Sequence, residues 1–403
     1  MGAALGCAGV QAADEAFPGS IPVPGTSTAI RVYGLARMDI VKDIDDGTGG
    51  GSASNIPAIA PDGSPQSSRK GALTMTARAS QIGIDARTQT SSGVLKFLLE
   101  GDFYGGGAGT ETTTNSGNFR LRHAYAQWGP YLLGQYWTTA ADLPSAPEFL
   151  DFNPPVGVPA GIRQPQLRYT TETGPSFFAV ALENPESDFN GANQATFLAG
   201  NETISNNVQD KWPDVTARYA YQEFWGRFSL TGLARYISVD TGGATVNGFN
   251  GKDSAVGYGL IFTNVINAFG QDRFIWMVLG GPGIGRYIQY SAASGGGAAI
   301  VNNQLQTIKA YAANASYQHW WSDNLRSTLY YGRSTWDNPT PLVATGLVRK
   351  LQEAYLNLVY VPVRNTKIGV EYVWGRVDFS SQTPPNANQG EGRRINMTFQ
   401  YAF

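Results

Sequence analysis

Arginine residues are the side chains of this sequence best suited to recognising a ligand. Six of them occur in segments where apolar and polar residues alternate: Arg37, Arg120, Arg122, Arg168, Arg218 and Arg235. A guanidinium presents a planar fork of donors that can hold a carboxylate through two hydrogen bonds, which a lysine ammonium does less well. The sequence leaves two roles open for this set, either attraction of small solutes or neutralisation of neighbouring acids.

The segment 139–162 carries the acids that could face these arginines. It contains Asp142, Glu148 and Asp151 among several prolines and apolar residues. A proline-rich loop of this length is unusual as a mobile external connection, and packing into an enclosed space would account for it. We expect its acids to face the arginines across a narrow aqueous gap, where rings of charge select ions. The alternative is that acids and arginines only brace the fold.

Catalytic and metal sites are poorly supported. The only histidines in the sequence are His123 and His319. Neither has serine and aspartate residues in a convincing catalytic arrangement, so the sequence does not support an outer-membrane hydrolase. The run 43–47, Asp-Ile-Asp-Asp-Gly, could bind calcium, but it lacks the twelve-residue spacing and the closing glutamate, and a calcium site in 43–50 stays open. We predict a protein that is not an enzyme and that uses no cofactor and no catalytic metal.

The elements that must position these residues show a period of two. The final segment alternates most strictly, with one apolar face formed by Ile395, Met397, Phe399, Tyr401 and Phe403. Such alternation is typical of a strand with one apolar and one polar face. It predicts sixteen strands, near 29–42, 70–88, 93–104, 118–128, 131–138, 163–173, 176–184, 213–222, 227–240, 253–267, 273–290, 305–319, 325–337, 347–361, 366–379 and 392–403.

Composition fits an all-β chain in a membrane. Charged residues are 15% of the chain, below the soluble norm of roughly a quarter, while glycine and aromatic residues are abundant. The longest apolar runs are far shorter than the roughly twenty residues of a spanning helix. In a membrane, only a closed barrel would then satisfy the backbone. The net charge of −2 gives no basis for a nucleic-acid partner.

Connection lengths and aromatic positions support the same architecture. Short turns alternate with long polar connections, which is the asymmetry of the periplasmic and extracellular ends of outer-membrane barrels. Aromatic residues cluster at the predicted strand ends, as in the two girdles at the bilayer surfaces. We therefore predict a transmembrane antiparallel β-barrel of the porin type, with about sixteen strands.

The N-terminal residues divide the chain into three parts. An apolar run, Ala3–Val10, precedes Val10-Gln11-Ala12, which resembles a signal-peptidase cleavage site. We expect a signal peptide, possibly truncated, at 1–12, a short periplasmic segment at 13–28, and the barrel at 29–403. Pro18, Pro22 and Pro24 argue against a helix in the periplasmic segment. The expected location is the cell outer membrane, reached through the periplasm.

The alternation of side-chain direction along a strand determines which way the central arginines are expected to point. Arg120 and Arg122 alternate with Phe119, Leu121 and Tyr125, so we expect the arginines to face the lumen. An arginine facing lipid would cost roughly 2–4 kcal/mol near the bilayer midplane. Our hypothesis is that this pair, helped by Arg168 and Arg37, forms the attractive wall. The same parity places His123 on the lipid face, where a subunit contact would have to shield it.

Two further features concern assembly. The alternating aromatic end formed by Phe399, Tyr401 and Phe403 resembles the C-terminal signal read by the outer-membrane assembly machinery. Gly34 and Ala36 lie on the outer face of the first predicted strand. Small residues there would suit close subunit approach, and we predict a homotrimer in the lipid bilayer.

Several segments together resemble the DcaP-like family of trimeric outer-membrane porins. The likeness is strongest between about 30 and 170, and covers the rest only by barrel pattern. It is carried by Ser80–Asp85, Leu99–Gly106, Arg120–Tyr125, Leu132–Trp137, Ala146–Phe149 and Gln164–Thr170. The resemblance implies a trimer of sixteen-stranded barrels that takes up small negatively charged solutes such as dicarboxylates. The helical coiled-coil segment that precedes the barrel in the family has no counterpart in 13–28.

The favoured function is therefore passive diffusion of small solutes, with a preference for anions implied by the resemblance. One alternative is a general, weakly selective porin, which the net charge of the lumen would distinguish. A less favoured alternative is a surface adhesin, because the loops are of moderate length and contain no repeats.

Overall fold

Sixteen antiparallel strands close into one barrel. The computed structural model describes residues 17–45, 52–106, 113–190, 209–243, 245, 249–339, 347–382 and 386–403. Within these residues, each barrel strand pairs with its neighbours in sequence, and the first strand pairs with the last from Leu35 with Ala402 to Asp43 with Arg394. No helix in the described part of the chain is long and apolar enough to cross a membrane.

The strands are numbered β1 to β16 in chain order. Their bounds are β1 Thr28–Asp43, β2 Leu73–Thr76 with Gln81–Thr90, β3 Gly93–Gly105, β4 Asn118–Trp128, β5 Tyr131–Trp137, β6 Arg163–Thr173, β7 Ser176–Glu183, β8 Asp214–Glu223, β9 Gly226–Asp240, β10 Lys252–Asn267, β11 Arg273–Pro282, β12 Lys309–Ser322, β13 Leu325–Asp337, β14 Val348–Tyr360, β15 Thr366–Phe379 and β16 Gln389–Ala402. In the described part of the chain, five short 3-10 helices lie between them, at Ile56–Ala58, Gln66–Ser68, Leu143–Ser145, Gly285–Tyr287 and Ser291–Ser294.

The predicted barrel is confirmed, with three differences in its strands. The strand predicted at 305–319 begins at Lys309, because Gln304–Thr307 pairs in a separate small sheet. The strand predicted at 273–290 ends at Pro282, because the chain then turns inward through two 3-10 helices. The strand predicted at 70–88 is interrupted at 77–80, where the Ser80 hydroxyl accepts a hydrogen bond from the Arg37 backbone at 3.0 Å. A period of two does not encode these turns, nor contacts between segments that are far apart in the chain.

Alternation separates an outer from an inner face. In β16, Met397, Phe399 and Tyr401 are exposed to the surroundings of the barrel, whereas Arg394 and Thr398 are buried inside it. Two-residue turns such as Gly129-Pro130 join strands at one end, and Gly129 adopts a φ of 55°, which glycine tolerates without strain. The long connections lie at the other end, as the sequence predicted.

Three of the long connections fold into the barrel. We name them L1 (described over 52–72), L3 (138–162) and L6 (283–308). L6 carries two short strands, Ala298–Val301 and Gln304–Thr307, which form a small sheet with Phe189–Asn190. The L3 and L6 backbones meet at a bridge between Pro159 and Ile288.

A hydrophobic core inside the barrel holds these loops. Its loop residues include Ile56 and Ile59 of L1, Val156 of L3, and Ile284 and Tyr287 of L6. Its wall residues lie on the inner face of β9 to β15 and include Leu233, Ile261, Leu279, Trp336, Leu351 and Val377. The assumption that apolar residues mark only the lipid face is therefore wrong on these strands, because the loops bury an apolar inner wall as well.

The N-terminal segment remains partly a prediction. The signal peptide expected at 1–12 lies outside the described residues. In the segment expected to be periplasmic, Ile21 and Pro22 pair antiparallel with Ile30 and Ala29 of β1. The described part of this segment thus extends the barrel sheet at its closing seam.

Candidate functional site

The acids of L3 bind the far wall of the barrel. Asp142 accepts two hydrogen bonds from Arg227 of β9, at 2.9 and 2.7 Å, and lies 3.7 Å from Arg218 of β8. Glu148 accepts two from Arg326 of β13, at 2.6 and 2.7 Å. Each of these two acids is therefore hydrogen-bonded to an arginine that was not predicted from the sequence, and Asp142 also lies beside the predicted Arg218.

The third acid, Asp151, is held by L1 and the closing strand. It accepts hydrogen bonds from the Ser54 backbone and hydroxyl, at 2.9 and 2.6 Å, and from Asn396 of β16 at 3.0 Å. The expectation that these acids face Arg120 and Arg122 is wrong, since each is bonded to other parts of the barrel. Parity shows which face a residue occupies, but it does not show which strand lies opposite a long loop.

Two buried glutamates on the wall tether the backbone of L3. Glu371 of β15 accepts hydrogen bonds from the Leu150 and Asp151 N–H groups, at 2.9 and 3.1 Å. Glu353 of β14 accepts one from the Val156 N–H at 2.7 Å. The part of these two acids in holding L3 follows only from the folded position of the loop.

The charge of Asp142 is stabilised where it lies. Burial alone would raise the pKa of this carboxyl, but hydrogen bonds from Arg227 and Ser145 and the nearby Arg218 hold the pKa below its usual value. The anchor on L3 is therefore ionised at neutral pH. Its carboxylate is neutralised by the two guanidinium groups beside it.

The central arginines face the lumen, as predicted, but they are paired. Arg120 donates to Asp102 of β3 at 2.9 and 2.7 Å. Arg122 donates to Glu100 at 2.7 Å and to Asp102 at 3.0 Å. An aromatic residue of L3 lies beside this pair, since the Arg120 guanidinium is 5.5 Å from the centre of the Phe152 ring.

A β-bulge corrects the predicted positions of His123 and Tyr125. Glu100 is opposite His123, but the next residue, Gly101, is opposite Leu121, so Arg122 is an extra residue in β4. The bulge reverses the parity after Arg122. His123 and Tyr125 are each 5% exposed and lie inside the barrel, so no subunit contact is needed to shield His123.

Two further arginines on β6 have no carboxylate partner. No carboxylate oxygen of the described residues lies within 4 Å of Arg163 or Arg168, and the Nε atom of each is buried without a hydrogen-bond partner. Arg163 lies 3.8 Å above the Trp137 ring, and Arg168 lies 5.0 Å from the Tyr136 ring centre. The sequence analysis missed Arg163, because its proximity to Trp137 depends on the pairing of β5 with β6.

The remaining predicted arginines have structural partners. Arg37 binds Asp39 at 2.9 Å and also donates to the Leu150 carbonyl of L3. Arg218 donates to the Ala141 carbonyl of L3 at 2.7 Å. Arg235 is 3% exposed, lies beneath L6, and binds Asp214 at 3.1 Å and Asp188 at 2.8 Å. Arg235 therefore does not line open lumen, in contrast to the prediction.

The wall formed by β3 to β6 carries excess positive charge. Strands β3 to β6 place five cations inside the barrel: Lys96, Arg120, Arg122, Arg163 and Arg168. Of the acids on these four strands, Glu100 and Asp102 face the lumen beside the cations, and Glu172 lies at the exposed end of β6. Glu183 of the adjacent β7 is buried near Arg168 and bonded to Gln164. Because the acids of L3 are bonded elsewhere, they do not offset this excess. We call this surface the arginine wall.

The segment in which a calcium site was left open is described only at Asp43, Ile44 and Asp45. Among the described residues, no group of three or more acidic, histidine or cysteine side chains could hold a metal ion. Asp43 is paired with Arg394 at 3.1 Å, and Asp45 with Arg393 at 3.3 Å. The rest of the segment, from 46 to 50, lies outside the described residues.

The C-terminal aromatic residue closes the barrel. The Phe403 and Gly34 backbones exchange two hydrogen bonds, at 3.0 and 3.2 Å. A Cβ atom on Gly34 would come within 2.9 Å of the Phe403 ring. The ring therefore lies over Gly34, which is not an open surface for a neighbouring subunit.

Comparison with known proteins agrees with this architecture. A family model described as DcaP outer membrane protein matches residues 12–403. The crystal structure of the outer membrane channel DcaP of Acinetobacter baumannii is similar over 94% of this chain and 98% of that chain, with 22% sequence identity and a TM-score of 0.75. No curated protein matches the chain.

Two more distant structures share the fold. An anion-selective porin from Comamonas acidovorans has 12% identity and a TM-score of 0.58, over 93% of this chain and 100% of that chain. The trimer form of OmpT from Vibrio cholerae has 13% identity and a TM-score of 0.57, over 94% of this chain and 100% of that chain. At these identities, the likeness establishes a porin-type barrel.

Proposed function

The chain belongs to the DcaP outer membrane protein family and is located in the outer membrane, and from this premise we propose that it is a passive channel that prefers small anions, dicarboxylates among them. One observation carries the proposal. The arginine wall has five cations beside two inward acids, and the acids of L3 are bonded to other parts of the barrel. A solute passing between L3 and this wall meets net positive charge.

The two unpaired arginines are suited to bind carboxylates. The Arg120 and Arg122 guanidiniums are already occupied by Asp102 and Glu100, whereas the Arg163 and Arg168 donors have no carboxylate partner among the described residues. Arg163 and Arg168 are five residues apart on β6, which corresponds to roughly 16 Å along a strand. Because this spacing is odd, Arg163 has the parity of the exposed Leu167, and it reaches the interior only as the first residue of β6, beside Trp137. A dicarboxylate could be passed between them without leaving positive surroundings.

The second candidate, a general channel with weak selectivity, has its own supporting observation. Arg120 and Arg122 are neutralised within the wall, so their attraction for a solute is reduced. The candidates differ in the effect of solute charge at constant size. Liposome swelling with succinate and with its neutral diamide separates them. Faster entry of succinate supports anion preference, and equal rates support the general channel.

We also infer a homotrimer. The family resemblance and the trimer form of a structural neighbour support this assembly. The exposed apolar outer face near the seam, including Val32, Met397 and Phe399, would be shared between lipid and subunit contacts. Light scattering of the detergent-solubilised protein should give the mass of three chains, and a monomer mass would contradict the inference.

A further inference from the structure

An apolar cavity lies between L3 and the inner wall. Its volume is about 190 Å³, and its lining includes Trp137, Leu143, Ala146, Phe149, Val158 and Met277. Leu143 is 43% exposed and Ala146 is also exposed, so the cavity opens to the lumen at these two residues. Apolar side chains that face an aqueous channel are unusual unless something covers them.

The lining of the cavity offers almost no polar group that is available to bind a ligand. Asp142 is the only charged residue of its lining, and both carboxylate oxygens of Asp142 accept hydrogen bonds from Arg227. The Thr263 hydroxyl is directed toward the same carboxylate at 3.4 Å. An engineered apolar cavity of about 150 Å³ stays dry and binds benzene, so a cavity of this size can take one ring.

Two cations, Arg163 and Arg218, lie beside residues that line the cavity. Trp137 lines the cavity, and the Arg163 guanidinium lies 3.8 Å from the centre of its ring. Ala141 also lines the cavity, and its carbonyl accepts a hydrogen bond from Arg218 at 2.7 Å. The edge of the cavity therefore pairs an apolar space with positive charge, which is complementary to a compact apolar body that carries a carboxylate.

We propose that this cavity is a subsite for the apolar body of a permeating carboxylate, so that the channel selects aryl carboxylates over small carboxylates of equal charge. The carboxylate binds the guanidinium of Arg163 while the ring enters the space beside Trp137 and Leu143. The inference rests on the proposed anion preference and adds to it a criterion that charge alone does not supply.

Current block in a planar bilayer tests the subsite. Acetate and phenylacetate carry one charge each and differ by the ring. In the wild-type channel, phenylacetate should halve the chloride conductance at a concentration at least roughly tenfold lower than acetate does, which is the lower end of what an apolar group gains in an apolar pocket. In Ala146→Phe, whose added ring fills the cavity mouth, the two anions should block at similar concentrations.

Two other variants complete the test. Leu143→Ser alters an exposed lining residue with little risk to folding, and should also reduce the advantage of phenylacetate. Ala72→Phe adds the same ring at an exposed residue outside the lining, and should keep the wild-type ratio. Equal block by both anions in the wild type, or an unchanged ratio in both cavity variants, overturns the subsite. If the wild type also excludes both anions and prefers potassium, the proposed function fails as well.

Discussion

At the scale of single residues, arginines of one type take three different roles. Arg163 and Arg168 have no carboxylate partner among the described residues, Arg120 and Arg122 are bonded to acids on the neighbouring strand, and Arg235 is buried beneath L6. A guanidinium with free donors can bind a passing carboxylate directly, whereas a paired one acts mainly through its residual field.

This difference predicts that matched substitutions of Arg163 and Arg120 will weaken the block by succinate to different extents. Arg163→Gln and Arg120→Gln each remove one positive charge, and each should lower the chloride-to-potassium permeability ratio by roughly fivefold, which is the effect of about 1 kcal/mol from a unit charge acting at 4 Å in water. Block by succinate should weaken more in Arg163→Gln, because its donors are unoccupied. A larger loss of block in Arg120→Gln would contradict this assignment.

Arg235 should matter for stability and not for selectivity. Arg235→Ala leaves the buried carboxylates of Asp188 and Asp214 without their cation, and removing one partner of a buried ion pair costs about 3–5 kcal/mol. Urea unfolding in lipid vesicles should show this loss, while the reversal potential of the folded channel stays at the wild-type value. Unchanged stability with a shifted reversal potential would instead place Arg235 in the pore lining.

At the scale of elements, L3 is a rigid part of the barrel interior. Its side chains bind Arg227, Arg326 and Ser54, and its backbone binds Glu353 and Glu371. The sequence predicted from its prolines and apolar residues that this loop packs inside, and that it carries acids toward arginines. The sequence could not show which arginines these acids pair with, because the contacts join residues far apart in the chain.

Removal of a tether should loosen the loop. Glu371→Ala leaves two buried L3 backbone N–H groups without an acceptor, at a cost of roughly 1–3 kcal/mol each. Single-channel recordings should show more frequent conductance fluctuations than in the wild type. Glu172→Ala removes an exposed acid that does not contact L3 and serves as the control. Equally steady currents in both variants would indicate that other contacts suffice to fix L3.

Closure of the barrel gives the C-terminal residue a structural role that is separate from the predicted assembly signal. The Phe403 backbone bonds to Gly34, and its ring covers the same glycine. Deletion of Phe403 should sharply reduce the heat-modifiable barrel recovered from membranes, and Phe403→Tyr, which keeps an aromatic ring, should restore it. An unchanged yield after the deletion would show that neither the signal nor the seam contact is required.

At the scale of the whole molecule, the sequence predicted the barrel far better than its interior. The sixteen strands follow from alternation, because lipid and lumen impose opposite preferences on successive residues. The bulge at Arg122 and the apolar inner wall around Leu351 and Val377 were not predicted. Both features depend on which strand or loop a given strand contacts, and the alternation within one strand does not show which neighbour that is.

The reversal potential of the wild-type channel tests the central claim most directly. With potassium chloride at unequal concentrations across a planar bilayer, net positive charge along the path of the solute favours chloride over potassium. We expect the zero-current potential to lie on the side of zero given by the chloride equilibrium potential. A potential near zero would indicate a general channel, and one on the potassium side would contradict the role assigned to the arginine wall.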